Sequence, residues 1–120
     1  LSTLFDTNIL IDYLRGFPAA TREVELQTLP LISNVSWIEV MAGAGSDSEI
    51  ETVRQFLMTF ECLPIDAEIA ERAAYLRRTK KLKLPDALIL ATAQVAGAVL
   101  ITRDLALQGQ GPYVRIPYRI

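Results

Sequence analysis

The chain has no histidine, one cysteine (Cys62) and one tryptophan, and aromatic residues make up only 8% of its 120 positions. Without imidazole there is no histidine general base and no Ser-His-Asp triad, and a single thiol cannot build a zinc finger or a zinc-deaminase site. Any ionic chemistry therefore rests on carboxylates. One cysteine also excludes an intrachain disulfide, as expected of a reducing compartment. Long apolar runs are missing too. The most apolar segment, Ala87 to Ile101, is interrupted by Thr92 and Gln94 and is shorter than the roughly 18 to 20 residues that cross a bilayer. The N-terminal residues carry neither the basic region nor the apolar stretch of a signal peptide, so a cytoplasmic protein without a membrane anchor is expected. Glycine-rich sequence is confined to AGAG and QGQG, and neither contains GxGxxG or GxxxxGK, which leaves a nucleotide-binding loop unsupported.

What is present suits one compact domain spanning 1–120, with 51% hydrophobic and 22% charged residues supplying a single core and a solvated surface. Twelve Lys and Arg stand against 14 Asp and Glu, a net charge of -2 that does not announce a nucleic-acid partner. Locally the balance reverses. The stretch RRTKKLK places Arg77, Arg78, Lys80, Lys81 and Lys83, five of the twelve cations, within seven residues.

Along the chain, short apolar strands alternate with helical patterns. Leu1 to Phe5 is a strand cut off by Asp6, and Ile9, Leu10, Tyr13 and Leu14 then recur at helical spacing until Gly16. A second helix follows Pro18 and carries Val24 and Leu26, and Pro30 begins the extended LISNV. SWIEVMAG reads as a short helix from Ser36, and Ser46 or Asp47 caps a helix striped by Ile50, Val53, Phe56, Leu57 and Phe60. ECLPID, with Pro64, suits an edge strand. Asp66 caps a helix through Arg78 whose buried side is read as Ile69, Ala70, Ala73, Ala74 and Leu76. Pro85 opens a helix ending at Gly97, Ala98 to Thr102 forms a strand, and Tyr113 to Ile116 the last one. This alternation predicts an α/β fold with a mainly parallel sheet of four or five strands, whose functional crevice lies beyond the strands' carboxyl ends.

Four acids fall at strand ends or helix starts: Asp6 after the first strand, Glu39 in the first turn of the SWIEVMAG helix, Asp86 beside Pro85 at another helix start, and Asp104 after VLIT. Local explanations compete with a shared role. Ser36 and Glu39 match a capping box, Asp86 is an ordinary first-turn acid, and Asp104 can cap the next turn. Asp6 interrupts the run LFDTNILI, where a carboxylate needs hydrogen bonds, a cap or a cation. If the four converge, they form a hard-oxygen site suited to magnesium or manganese and to phosphodiester hydrolysis.

The ordered strings LFDTNILIDYL, ISNVSWIEVMAG and LPDALILATAQVAGAVLITRD resemble the PIN-domain ribonucleases, especially the VapC toxins of toxin-antitoxin pairs. The resemblance spans essentially the whole chain. It implies a three-layer α/β/α sandwich, a magnesium-dependent endoribonuclease in which manganese can substitute, and an RNA substrate. It also implies that Asp6, Glu39, Asp86 and Asp104 match the acidic metal-site positions, with Thr7, Asn8, Ser36 and Thr102 as polar neighbours. Asn8 is then either the turn residue supporting Asp6 or an amide that reaches a ligand, Ser36 the cap that aims Glu39, and Thr102 a hydroxyl near Asp104. Asp12 is read as a surface or salt-bridge residue. The chain departs from the family in TRDLALQG, which lacks a later acid or aromatic, so Asp104 carries the fourth role alone.

The basic stretch is read either as a solvated helix end or as a set of RNA phosphate contacts from Arg77, Arg78, Lys80, Lys81 and Lys83, with Arg103 as a further contact. The resemblance also implies a homodimer and a VapB-like antitoxin, with DNA bound only through that antitoxin. Ile9, Tyr13, Trp37, Met41 and Phe56 serve either the core or these interfaces. Two rival readings are a catalytically silent PIN fold that acts by binding protein, and a receiver-like signalling domain.

Overall fold

The computed structural model describes residues 1–120. Five strands, β1 (Thr3–Phe5), β2 (Pro30–Ser33), β3 (Glu61–Leu63), β4 (Val99–Ile101) and β5 (Val114–Arg115), form one sheet in the order β3-β2-β1-β4-β5. Every neighbouring pair is parallel. Six helices complete the chain: α1 (Thr7–Leu14), α2 (Pro18–Glu25), α3 (Asn34–Ala42), α4 (Asp47–Leu57), α5 (Ala67–Lys80) and α6 (Leu84–Ala96), with a short 3₁₀ turn at Leu105–Leu107.

Alternation along the strands divides the core between the two faces of the sheet. Leu4, Leu31 and Leu100 point one way and pack with Ile69, Ala73 and Leu76 of α5 and Ile89, Leu90 and Ala93 of α6. Phe5, Ile32 and Ile101 point the other way, against Ile9 and Leu10 of α1, Ala20 and Val24 of α2, Val40 of α3 and Leu57 of α4. Helices thus cover both faces, giving the α/β/α sandwich. Trp37, Met41, Tyr13 and Phe56 pack partly buried against this second cluster, and Ile9 is fully enclosed.

The strand order departs from the 2-1-3-4-5 arrangement of receiver-type domains and removes that reading. β1 lies between β2 and β4, so the order switches direction between β1 and β4. A parallel sheet opens a crevice at the carboxyl ends of such a pair. Asp6 follows β1, and Thr102 to Asp104 follow β4. Edge placement of β3 agrees with Pro64.

Several local expectations change. Helix α3 begins at Asn34, because the Ser33 hydroxyl accepts the Val35 N–H at 3.0 Å and caps it. Ser36 is therefore an interior helix residue, no capping box forms with Glu39, and Glu39 lies beyond the first turn. Ala70 and Ala74 face outward, since the buried positions of α5 are Ile69, Ala73 and Leu76. Leu26, at the end of α2, is exposed.

Candidate active site

Asp6 is the best-anchored of the four acids. Its backbone N–H donates to the Ile101 carbonyl at 2.9 Å, extending the β1–β4 pairing by one residue. The side chain then turns back to cap α1, with Oδ1 accepting the Thr7 N–H at 2.7 Å. Oδ2 accepts the Thr102 hydroxyl at 2.7 Å and the Asn8 amide at 3.4 Å. With 4% of its surface exposed, the carboxyl is pushed up to about 6, chiefly by burial. The hydrogen bonds from Thr102 and Thr7 oppose this rise, and the negative charges of Asp86 and Asp104 add to it.

Thr102 joins the ends of β1 and β4. Fully buried, it donates to Asp6 and accepts the backbone N–H of Asp104 at 3.0 Å and the Asn8 amide at 3.3 Å. Asn8 completes the junction by accepting the Arg103 N–H on its Oδ1 at 3.3 Å. Asp104 caps the 3₁₀ turn, where its Oδ1 accepts the Ala106 N–H at 2.9 Å. Each polar atom here holds another in place, and no buried side-chain nitrogen or oxygen lacks a partner.

On the other flank, the Thr7 hydroxyl lies 2.6 Å from Glu39 Oε1 and 2.9 Å from Ser36 Oγ. Its single proton goes to the carboxylate, so the buried Ser36 hydroxyl donates to Thr7. Ser36 thus aims Glu39 through Thr7, a different route from the cap expected of it. Glu39 is solvent-exposed and borders a groove of about 510 Å³ between α1, α3 and α4, walled by Ile11, Leu14, Val40 and Val53.

Asp86 stands half-buried in the first turn of α6, after Pro85. Its carboxyl is raised, first by burial and then by Asp104 and Glu39, while the Lys83 ammonium pulls it down. Asp6 thus feels the charges of Asp86 and Asp104, and Asp86 those of Asp104 and Glu39. In their present rotamers no three acidic or thiol side chains stand close enough to hold one metal ion.

The basic residues Arg77, Arg78 and Lys80 occupy the exposed last turn of α5, where cations complement the helix carbonyls. Lys81 ends that helix in the left-handed region, at φ 55°, and Lys83 immediately precedes α6. Both are exposed. Arg103 differs from this group. Its Nε and Nη2 donate to Asp12 Oδ2 and Oδ1 at 2.6 and 3.1 Å. Asp12 is 3% exposed, which corrects its reading as a surface residue, and it also accepts the Tyr118 hydroxyl at 2.8 Å. Burial alone would raise the Asp12 carboxyl, but the bonds from Arg103 and Tyr118 and the Arg103 charge hold it below the usual range. The salt-bridge alternative read for Asp12 holds, through Arg103, whereas no spacing links it to Tyr118.

Comparison with known proteins bears on the fold that carries these residues. The chain matches the PIN domain over residues 3–109. It superposes on a chain of a toxin-antitoxin complex from Klebsiella pneumoniae with a TM-score of 0.92 and 45% identity, covering 98% of this chain and 99% of that one. A DNA-bound VapBC from Salmonella typhimurium shares the fold, with a TM-score of 0.78 and 24% identity over 96% of both chains. An uncharacterized protein of Archaeoglobus fulgidus is 40% identical over 53 residues, 44% of this chain and 85% of that protein. The chain therefore belongs to the PIN-domain family.

Proposed function

We propose that this protein is a divalent-metal-dependent endoribonuclease toxin that hydrolyses RNA phosphodiester bonds and is neutralised by a VapB-like antitoxin. A nuclease is the activity that goes with VapC-type PIN domains. What supports the finer reading is that Asp6 closes β1 and is raised in part by Asp86 and Asp104, while Asp86 is raised in part by Asp104 and Glu39. Like charges gathered in a partly desolvated crevice are unfavourable without a cation.

The donor set is entirely oxygen, which suits magnesium, with manganese as a substitute. Magnesium keeps several of its waters and takes only one or two carboxylates directly. That habit is compatible with acids too widely spaced for three to reach one ion. Asp6, Asp86 and Asp104 would hold it directly or through water, with Glu39 completing the set. When bound, such a cation offsets the carboxylate charge and polarises the scissile phosphate.

The chain's own residues do the rest. Thr102 and the Thr7 N–H fix both oxygens of Asp6. Thr7 fixes one oxygen of Glu39, which leaves the other to orient a water for attack. Arg77, Arg78, Lys80, Lys81 and Lys83 supply phosphate contacts that position an RNA strand without reading its sequence. A homodimer acting in the cytoplasm, with DNA contacted only by the antitoxin, completes the proposal. The rival reading, a catalytically silent binding module, draws on the wide spacing of the acids. Incubating the protein with total cellular RNA, with magnesium, with chelator and as Asp6→Asn, separates them: cleavage that chelation and the substitution abolish supports the nuclease, and intact RNA throughout supports the silent module.

A further inference from the structure

We infer that Tyr118, Asp12 and Arg103 form a positioning relay by which the C-terminal segment sets the aim of Asp104 and Asn8. The relay starts outside the region matched by the PIN domain, which ends at residue 109. Beyond it, β5 and the tail clasp α1 and α2 at two points. Arg115 donates to both Glu23 carboxylate oxygens at 2.8 and 3.0 Å, and Tyr118 bonds Asp12 while its ring packs on Phe17 with centroids 5.3 Å apart.

Asp12 stands at the centre of the relay. It is buried within α1 and none of its hydrogen bonds goes to the four acids. A buried carboxylate is costly unless paired and fully bonded, and here one oxygen serves both Arg103 Nε and Tyr118 Oη while the other takes Arg103 Nη2. The fork fixes the guanidinium in plane as well as in distance.

Arg103 lies between Thr102, bonded to Asp6, and Asp104, and its own N–H is bonded to Asn8. Holding its side chain on α1 therefore fixes the peptide planes on either side, including the Asp104 N–H that meets Thr102 at 3.0 Å. Loss of the Tyr118 hydroxyl leaves Asp12 with Arg103 alone and loosens that fork. Arg103 acts here as a positioning residue and not as a phosphate contact. The kinetic part of this inference rests on the nuclease reading, and the structural part does not.

Tyr118→Phe tests the relay, because it removes one hydroxyl and keeps the ring on Phe17. Arg103→Ala removes the fork, and Arg103→Lys restores the charge without the fork. In the full chain, with magnesium and an RNA substrate, Tyr118→Phe should lower kcat about three- to tenfold with KM nearly unchanged, and Arg103→Ala about a hundredfold, since small misplacements of reacting groups cost that much. Arg103→Lys should recover part of the loss. Amide hydrogen exchange should accelerate at Arg103, Asp104 and Ala106 in both Tyr118→Phe and Arg103→Ala, and stay unchanged at Leu100 in the sheet centre. Unchanged loop exchange in both variants overturns the relay, as does acceleration that reaches Leu100 equally. A raised KM with unchanged kcat and exchange also overturns it, returning Arg103 to phosphate binding. If the unsubstituted chain cleaves no RNA, the nuclease reading fails and the exchange measurements alone decide the relay.

Discussion

Thr102 donates its hydroxyl to Asp6 Oδ2 across 2.7 Å, and its own oxygen accepts the backbone N–H of Asp104 at 3.0 Å, so one small side chain ties two of the four acids together. Thr102→Val keeps the shape and removes both bonds, together with the one Thr102 accepts from the Asn8 amide. Cleavage should fall about 10- to 100-fold, as when a group supporting a metal-site ligand is removed. Stability should fall by about 1–3 kcal/mol from the stranded Asp104 N–H and Asp6 oxygen. Single-turnover cleavage and urea denaturation measure the two effects.

Asp6 makes stability fall as the solution becomes more alkaline. Its folded carboxyl titrates at about 6, against an ordinary value of 3.8. Folding therefore favours the protonated form, so this stabilising contribution is complete below the unfolded pKa and is lost as pH rises through about 6. Asp6→Asn removes the titration and keeps a good helix cap. With chelator present, the variant should be more stable than the parent at pH ~8, by up to about 3 kcal/mol, and the advantage should vanish near pH ~4. Asp12 has the opposite sign but is common to both chains and cancels in the difference. Urea unfolding at the two pH values decides it; an advantage independent of pH would count against a buried, raised carboxyl.

Magnesium should reverse that penalty. At about a hundredfold excess over its dissociation constant, a ligand confined to the folded state adds about 2.7 kcal/mol. Thermal unfolding at alkaline pH should shift upward by several degrees in the parent chain and hardly at all in Asp6→Asn, and chelator should abolish both the shift and RNA cleavage. Manganese should restore both.

Glu39→Gln should separate chemistry from folding. Glu39 is exposed and accepts the Thr7 hydroxyl at 2.6 Å, a bond the amide oxygen of glutamine can keep. Stability should change by no more than about 0.5 kcal/mol. If the charged oxygen of Glu39 orients water as proposed, its loss should cost about 100-fold or more in kcat. Equal activity of the two proteins would remove Glu39 from the reaction.

Substitution of Arg77, Arg78 and Lys80 by glutamine should raise KM and leave kcat near its starting value. If these cations pair with phosphates, the salt dependence of RNA binding becomes shallower by about 0.7 in the log-log slope for each phosphate no longer neutralised. Binding measured at several salt concentrations reads this directly.

Strand and helix periodicity made the sandwich legible in the amino-acid order alone. Turn chemistry placed Pro85 at the start of α6 and Gly97, at φ 65°, at its end. The shared role proposed for the four acids draws on the same pattern, since a parallel sheet brings strand ends together and these acids sit at strand ends or beside apolar runs. In sequence the cap of α3 reads as Ser36, but β2 runs to Ser33, whose hydroxyl takes that role and leaves Ser36 to reach Thr7. Asp12 and Tyr118 illustrate a second limit. Their bond joins positions 106 residues apart, a tertiary pairing that no local spacing encodes.

The central pairing of the sheet also bears on synthesis. Thr3 to Phe5 lie against Val99 to Ile101, and Asp6 takes its closest side-chain partner from Thr102. A ribosome releases the first acid long before the strand that encloses it, so a half-made chain holds Asp6 and Glu39 without Asp86, Asp104 or the hydroxyl that orients them. Any chemistry that draws on these acids together therefore waits until β4 and Thr102 to Asp104 have been made and folded against β1.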